Sequence, residues 1–245
     1  MSAGRAVLVT GGASGIGKAV AEAFAAAGDR VVIADRNEDG AATAAKELGC
    51  DAVTLDVTDA ASVAAGVARA AELAGPVEIL VNNAGLVAGG GPLTALPLEI
   101  FDTVVAVNLR GTFTVTQAVA NQMIEHGTRG RIVNISSIGA RQPTAGLGHY
   151  EATKAAVDAL TRTAALELAG HGIRVNGVAP GPVHTPMTAG LMDDPQARAA
   201  WEARIPLGRI AATADIAPLV VFLASDQAAH ITGAIVQVDG GQLLT

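Results

Sequence analysis

The chain has 245 residues, half of them apolar but only 2% aromatic, so a large core has to be built from Ala, Val, Leu and Ile rather than from rings. Its net charge of -7 argues against nucleic acid or an anionic membrane surface as the main partner. The single cysteine, Cys50, excludes an internal disulfide, is expected to be a reduced thiol, and belongs to no Cys/His cluster of the kind that binds metal.

The N-terminus enters a strand pattern over Ala6–Thr10, with no signal-peptide stretch before it. A helix follows over Ile16–Ala27, then a strand over Arg30–Ala34 and a helix over Glu38–Leu48. The alternation continues with strand Ala52–Asp56, helix Ala60–Leu73, strand Ile79–Asn82, helix Leu98–His126 and strand Gly130–Ser136. Helix Tyr150–Gly170, strand Arg174–Ala179, helix Asp215–Leu223 and strand Ala234–Val238 complete the series. The strands are nearly continuous apolar runs, as parallel strands buried on both faces require. Gly28, Gly49 and Gly127 stand where a helix C-terminal glycine belongs. The pattern predicts one α/β domain over residues 1–245, a doubly wound, Rossmann-like parallel sheet of about seven strands with helices on both faces. Residues Thr185–Ile210, with Pro186, Pro195 and Pro206, interrupt the rhythm and read as a lid over the strand ends. Stretches such as Ala217–Ala224 are too short to cross a bilayer, so the expectation is a cytoplasmic protein with no membrane partner.

The first strand runs into Thr10-Gly11-Gly12-Ala13-Ser14-Gly15-Ile16-Gly17, and a helix opens there. Gly11 permits the tight turn, Gly15 lets the backbone approach a pyrophosphate, and Gly17 lets the helix pack closely on the strand. The free N–H groups of the helix N-terminus then suit phosphate. Asp35 ends the second strand, 24 residues after Gly11, where a carboxylate accepts hydrogen bonds from a ribose 2′-hydroxyl and repels a 2′-phosphate. That predicts NAD rather than NADP. Arg36 points the other way, since an arginine can accept that phosphate, or it makes a surface ion pair.

Tyr150 and Lys154 are four apart on one helix face, about 5–6 Å between Cβ atoms. An ammonium at that distance lowers the pKa of a phenol and readies it to exchange a proton with a carbinol oxygen. Tyr150 is the only tyrosine, so any phenol catalysis falls to it. Ser137, at the end of the fifth strand, can hydrogen-bond the same oxygen.

With the glycine loop, Asp56, Asn82-Asn83-Ala84-Gly85, Asn108, Ser137, Tyr150-(x)3-Lys154, Pro180-Gly181 with Thr185, and Asp239-Gly240-Gly241, the chain resembles the short-chain dehydrogenase/reductase family from Arg5 to Gly241. The resemblance implies a catalytic set of Asn108, Ser137, Tyr150 and Lys154. Lys154 would also bind the nicotinamide ribose, and Asn108 would hold a water in a proton relay. Gly11, Ser14, Gly15, Ile16 and Gly17 would take the phosphates, Asp35 and Arg36 the adenosine ribose, and Asp56 and Val57 the adenine. Asn83, Ala84 and Gly85 would line the ribose side, while Asn82 ties strands together. Pro180, Gly181, Val183 and Thr185 would cradle the nicotinamide. It also implies a homotetramer, with Ala152, Ala155, Ala156, Ala159, Ala164 and Ala165 either permitting close helix approach or packing on the chain's own sheet.

The expected substrate pocket is walled by Gly89–Gly91, Ile138–Thr144, His149, His184, Met187, Leu191, Met192 and Trp201, with Arg141 the one candidate cation. This predicts a neutral secondary alcohol, polyol or ketone as the small-molecule substrate. The alternatives are a 3-oxoacyl-thioester (acyl-carrier-protein) reductase using NADPH, and a non-catalytic NAD-sensing or scaffold protein.

Overall fold

The computed structural model describes residues 4–245, except for the side chains of Leu191 and Met192. Seven parallel strands lie in the order β3-β2-β1-β4-β5-β6-β7. They are β1 (Ala6–Thr10), β2 (Arg30–Asp35), β3 (Asp51–Thr54), β4 (Ile79–Asn82), β5 (Arg131–Ile135), β6 (Arg174–Pro180) and β7 (Ile235–Val238). Strand β3 ends earlier than its apolar run suggests, which leaves Leu55 and Asp56 in the following loop.

Side chains alternate along each strand, so the sheet feeds two cores. Ala6 and Leu8 of β1 face one core, Val7 and Val9 the other. The first core is covered by α3 (Ala60–Ala74), α5 (Thr112–Glu125) and the C-terminal half of α6 (Gly148–Leu168). The second is covered by α1 (Gly15–Ala26), α2 (Glu38–Leu48) and α9 (Thr213–Leu223). Each fully buried Leu, Ile or Phe, such as Leu8, Ile33 or Phe24, contributes about 1.5–3 kcal/mol. Two small helices, α7 (Ala189–Met192) and α8 (Pro195–Glu202), lie between β6 and α9.

A buried amide relay crosses the sheet at the strand ends. Asn82 Nδ2 donates to Thr116 Oγ1 at 2.9 Å and to Asn134 Oδ1 at 2.8 Å, and Asn134 Nδ2 donates to Thr161 Oγ1 at 2.9 Å. Asn82 therefore ties β4 to β5 and to α5, as expected.

The expected single helix over Leu98–His126 is three pieces. Between α4 (Leu98–Val104) and α5 lies a π-helical turn over Val105–Gly111, with Asn108 at its centre. A π-turn accommodates one extra residue and frees a carbonyl. The Asn108 carbonyl accepts from Thr112 Oγ1 at 2.8 Å. Gly111 lets the turn approach Val57, for a Cβ there would lie 2.7 Å from Val57 Cγ2.

The chain reverses its winding between β1 and β4. A crevice opens there at the carboxyl ends of the strands, where ligands bind in this architecture.

Candidate active site

The crevice is a cleft of about 330 Å³. Of the residues singled out from the sequence, Gly11, Ser14, Gly15, Ile16, Asp35, Arg36, Asp56, Val57, Asn83, Ala84 and Gly85 line it. Ser137, Tyr150, Lys154, Pro180, Gly181, Val183 and Thr185 line it as well. Gly17 and Asn108 sit just behind the wall.

The glycine loop leaves β1 and turns back on Asn83. Gly11 has φ +62°, and a Cβ on it would lie 2.8 Å from Ala84 Cα. Gly17 packs tighter still, with its missing Cβ 2.3 Å from Gly11 O and 2.4 Å from Asn83 Nδ2. Asn83 Nδ2 donates to the carbonyls of Thr10 and Gly11, each at 3.0 Å, so this amide fixes the loop. Thr10, the first residue of the loop motif, accepts the N–H groups of Asn83 and Ala84 on its hydroxyl. The Ser14 side chain precedes α1 without capping it, so its hydroxyl faces the cleft unspent. This cradle of backbone and glycine fits a pyrophosphate.

Asp35 is held from both sides. Its Oδ2 accepts the Ala13 N–H at 3.2 Å, and its Oδ1 accepts the Asn37 N–H at 3.0 Å. Each oxygen keeps a lone pair for a ribose hydroxyl. Asp56 accepts the N–H and the hydroxyl of Thr58 on Oδ1, and these bonds, with Arg36 nearby, hold its carboxyl below the usual range. Arg36 is exposed at the rim.

Tyr150 falls in the first turn of α6, and Lys154 one turn on. Lys154 Nζ donates to the Ile135 carbonyl at 2.9 Å and stands 5.7 Å from the centroid of the tyrosine ring. Burial lowers the ammonium to about 8, with Asp158 working in the opposite direction. The phenol is raised above its ordinary value, mainly by burial and further by Glu151, while Ser137 pulls it down. The expected depression of the phenol by the ammonium is thus reversed here. Both groups are pushed toward their neutral forms because the wall around them offers little solvation.

Ser137 is part-exposed in the cleft, whereas Ser136 is buried and donates to Asp158 and to the Lys154 carbonyl, as strand alternation requires. Asn108 is fully buried. Its Oδ1 accepts the Leu86 N–H at 2.9 Å, and its Nδ2 donates to Leu86 O at 2.9 Å and Thr153 Oγ1 at 3.2 Å. The amide clamps the loop carrying Gly85. A Cβ at Gly85 would lie 3.4 Å from Asn108 Oδ1 and 3.5 Å from Lys154 Nζ, so both groups come up against this one glycine.

Several expected pocket walls are elsewhere. Trp201 does not line the cleft; it packs on Ile205 and Ile210 in a small separate cluster, with Arg204 4.7 Å from its ring. His184 is exposed beside Asp193, at 3.3 Å. His149 is buried and its Nε2 meets Val87 O at 2.9 Å, a structural contact. Arg141 is drawn to Asp158, at 3.8 Å. Met187 does line the cleft, while the Leu191 and Met192 side chains lie outside the described residues. Thr185 sits over the glycine loop, its Cβ 3.6 Å from where a Gly15 Cβ would be, and its Oγ1 meets that of Thr188 at 3.1 Å. Among the described residues there is no group of three or more His, Cys, Asp and Glu able to hold a metal. Nor is any helix there long and apolar enough to cross a membrane. The Cys50 thiol is pushed up by burial, consistent with an unreactive role.

Comparison with known proteins adds names to this geometry. A family profile described as "Enoyl-(Acyl carrier protein) reductase" matches residues 11–242. The chain is 39% identical to a 3-oxoacyl-[acyl-carrier-protein] reductase FabG of Thermotoga maritima, over 98% of both chains. It is also 39% identical to a sorbitol dehydrogenase of Cereibacter sphaeroides, over 99% of this chain and 98% of that protein. Among solved structures, a short-chain type dehydrogenase/reductase from Mycobacterium ulcerans superposes with a TM-score of 0.94 at 36% identity, covering 98% of this chain and 90% of that one.

Proposed function

The chain belongs to the short-chain dehydrogenase/reductase family, and on that premise we propose that Tyr150 is its acid/base, working on an alcohol or ketone oxygen held against Ser137. The protein is an oxidoreductase of CH–OH groups that uses a nicotinamide cofactor. The observation that carries the assignment of roles is the meeting of Ser137, Tyr150 and Lys154 in one cleft with the glycine cradle and Asp35.

Bound nicotinamide dinucleotide supplies the hydride acceptor or donor. Every other requirement is met by the chain. Tyr150 takes the hydroxyl proton in oxidation or returns it in reduction. The Ser137 hydroxyl fixes the substrate oxygen and stabilises charge that develops there. Lys154, held at the cleft by the Ile135 carbonyl, keeps N–H donors for ribose hydroxyls and is placed to pass a proton on. Asn108 holds the Gly85 loop so that this lysine keeps its line to the cleft. Met187 and the Thr185–Thr188 turn exclude water from the nicotinamide end.

The dinucleotide preferred is NAD. Asp35, fixed by two backbone N–H groups, presents a carboxylate where NADP carries a phosphate. The substrate is a neutral secondary alcohol, polyol or ketone, because the one expected cation, Arg141, is drawn to Asp158. A panel of such compounds with both dinucleotides tests this. We expect higher kcat/KM with NAD(H), and the Asp35→Ala variant to lose that preference by about tenfold, the size of one charge-assisted hydrogen bond. Higher kcat/KM with NADP(H) overturns the cofactor assignment. The likeness to the acyl-carrier-protein reductase supports a second reading: turnover of a 3-oxoacyl thioester with NADPH, and of no simple ketone, would establish it.

The exposed face of α6 supports assembly into a homotetramer. Ala152, Ala155 and Ala159 are exposed along it, and Leu166 is 81% exposed. Ala164 and Ala165 instead pack on the chain's own core. Sedimentation equilibrium checks this.

A further inference from the structure

Helix α6 carries two buried carboxylates that the chemistry above does not use, Glu151 at 9% exposure and Asp158 at 5%. They stand three residues before Lys154 and four after it, on the same helix face. Asp158 is accounted for by the Ser136 hydroxyl and the Arg141 guanidinium. Glu151 is not: among the described residues no cation pairs with it. A carboxylate this enclosed and without a counter-charge is costly unless its hydrogen bonds do something the fold needs.

Its contacts lead toward Ser137. Glu151 Oε1 accepts the Thr144 N–H at 2.6 Å, short for an N–H···O bond and charge-assisted. Its stem lies under Gly139, where a Cβ would be 3.1 Å from Glu151 Cγ and 3.3 Å from Ser137 Oγ. Ser137 Oγ in turn accepts the Gly139 N–H at 3.0 Å, which leaves its own proton free to be donated into the cleft. One side chain, next in sequence to Tyr150, therefore bonds Thr144, the far end of the loop that begins at Ser137, and packs beside Gly139, the residue whose N–H the Ser137 hydroxyl accepts.

We propose that Glu151 is a positioning residue: it locks the Ser137–Thr144 loop onto the catalytic helix and so sets how the substrate oxygen is presented to Tyr150. The proposal rests on the function given above for Ser137 and Tyr150. Because the carboxylate also raises the phenol, it has a second, electrostatic signature that a purely mechanical prop would lack. The other charged or titratable groups near the phenol are Lys154 with Asp158 behind it on α6, Arg141 on the loop, and His149, whose ring is committed to Val87 O.

Three substitutions separate the two effects. Glu151→Ala removes bond and charge, Glu151→Asp keeps the charge but shortens the reach by one methylene, and Glu151→Gln keeps an acceptor at full reach without charge. We expect Glu151→Ala and Glu151→Asp to raise KM for the alcohol on the order of tenfold, the loss of one charge-assisted bond, with NADH affinity by direct titration unchanged. Glu151→Gln should restore KM. In alcohol oxidation, where kcat/KM rises as the phenol ionises, Glu151→Gln and Glu151→Ala should move that rise to lower pH, and Glu151→Asp should not. If the alanine variant does not fold, the Asp/Gln contrast decides alone. Wild-type KM in Glu151→Asp, or no pH displacement in Glu151→Gln, overturns the proposal. Wild-type protein that binds NADH but turns over no alcohol or ketone overturns the functional reading itself, which is a different result.

Discussion

Around Gly11, Gly17 and Asn83 the walls of the cleft are backbone; around Ser137, Tyr150 and Lys154 they are side chains carried by α6 and by the turn that follows β5. On the first side, shape is made by what is missing, since any Cβ at Gly17 would collide with Gly11 O. On the second, shape is made by bonds between side chains and loops, such as Lys154 to Ile135 O and Asn108 to Leu86. The difference suits the ligands proposed above. A pyrophosphate is always the same and is served by fixed N–H groups. A substrate oxygen must be met by groups that change protonation, and those have to be side chains.

This division can be broken by experiment, and the largest effect belongs to the side-chain half. Tyr150→Phe should lower kcat by about 10²–10⁴-fold, the usual worth of a positioned acid/base. NADH affinity measured by titration should stay as it is. A comparable loss of NADH binding would mean that the two halves are not separable.

The complementary experiment strikes the backbone half. Gly17→Ala forces the start of α1 away from Gly11 and Asn83. It should cost about 1–3 kcal/mol in urea unfolding, as overpacking does. NADH should bind more weakly, while kcat at saturating NADH falls less than in Tyr150→Phe. Unchanged NADH affinity would show that the loop's tightness is not what serves the phosphates.

The smallest effect sharpens the boundary at Lys154, which belongs to both halves. Its folded-state value of about 8 lies below the 10.5 of the free side chain. Between those values the unfolded chain holds a proton that the folded chain has released, so stability rises with pH across that window. Against Lys154→Met, the wild-type Tm should therefore gain as pH goes from 8 to 10. A Tm difference that is flat across this range would mean that the ammonium is not desolvated as its burial implies.

Where the sequence was legible, one physical signal dominated. Strands β1 and β4 were read to the residue because buried parallel strands are continuous apolar runs with sharp polar ends. The residues that line the cleft are legible because a glycine-rich turn between a strand and a helix, and an aspartate at a strand end, are positional signals. Trp201 packs away from the expected pocket, and a lone large side chain in an irregular segment gives no hint that Ile205 and Ile210 will collect it. Glu151 went unnoticed although its spacing from Lys154 was visible; a carboxylate on a helix is ordinarily solvated, and only the folded loop shows otherwise. The clamp from Asn108 to Leu86 spans 22 residues and has no local trace.

The π-turn at Val105–Gly111 has an effect beyond seating Asn108. One surplus residue rotates everything after it by roughly 100° about the axis, the angular step of a single helical position. Phe101 and Val115 therefore obey two different helical phases, and a periodicity carried across the join describes neither segment. Deleting a residue there would yield a straighter rod whose downstream apolar stripe no longer meets the sheet; the irregularity is the joint that lets two independently phased stripes share one stretch of chain.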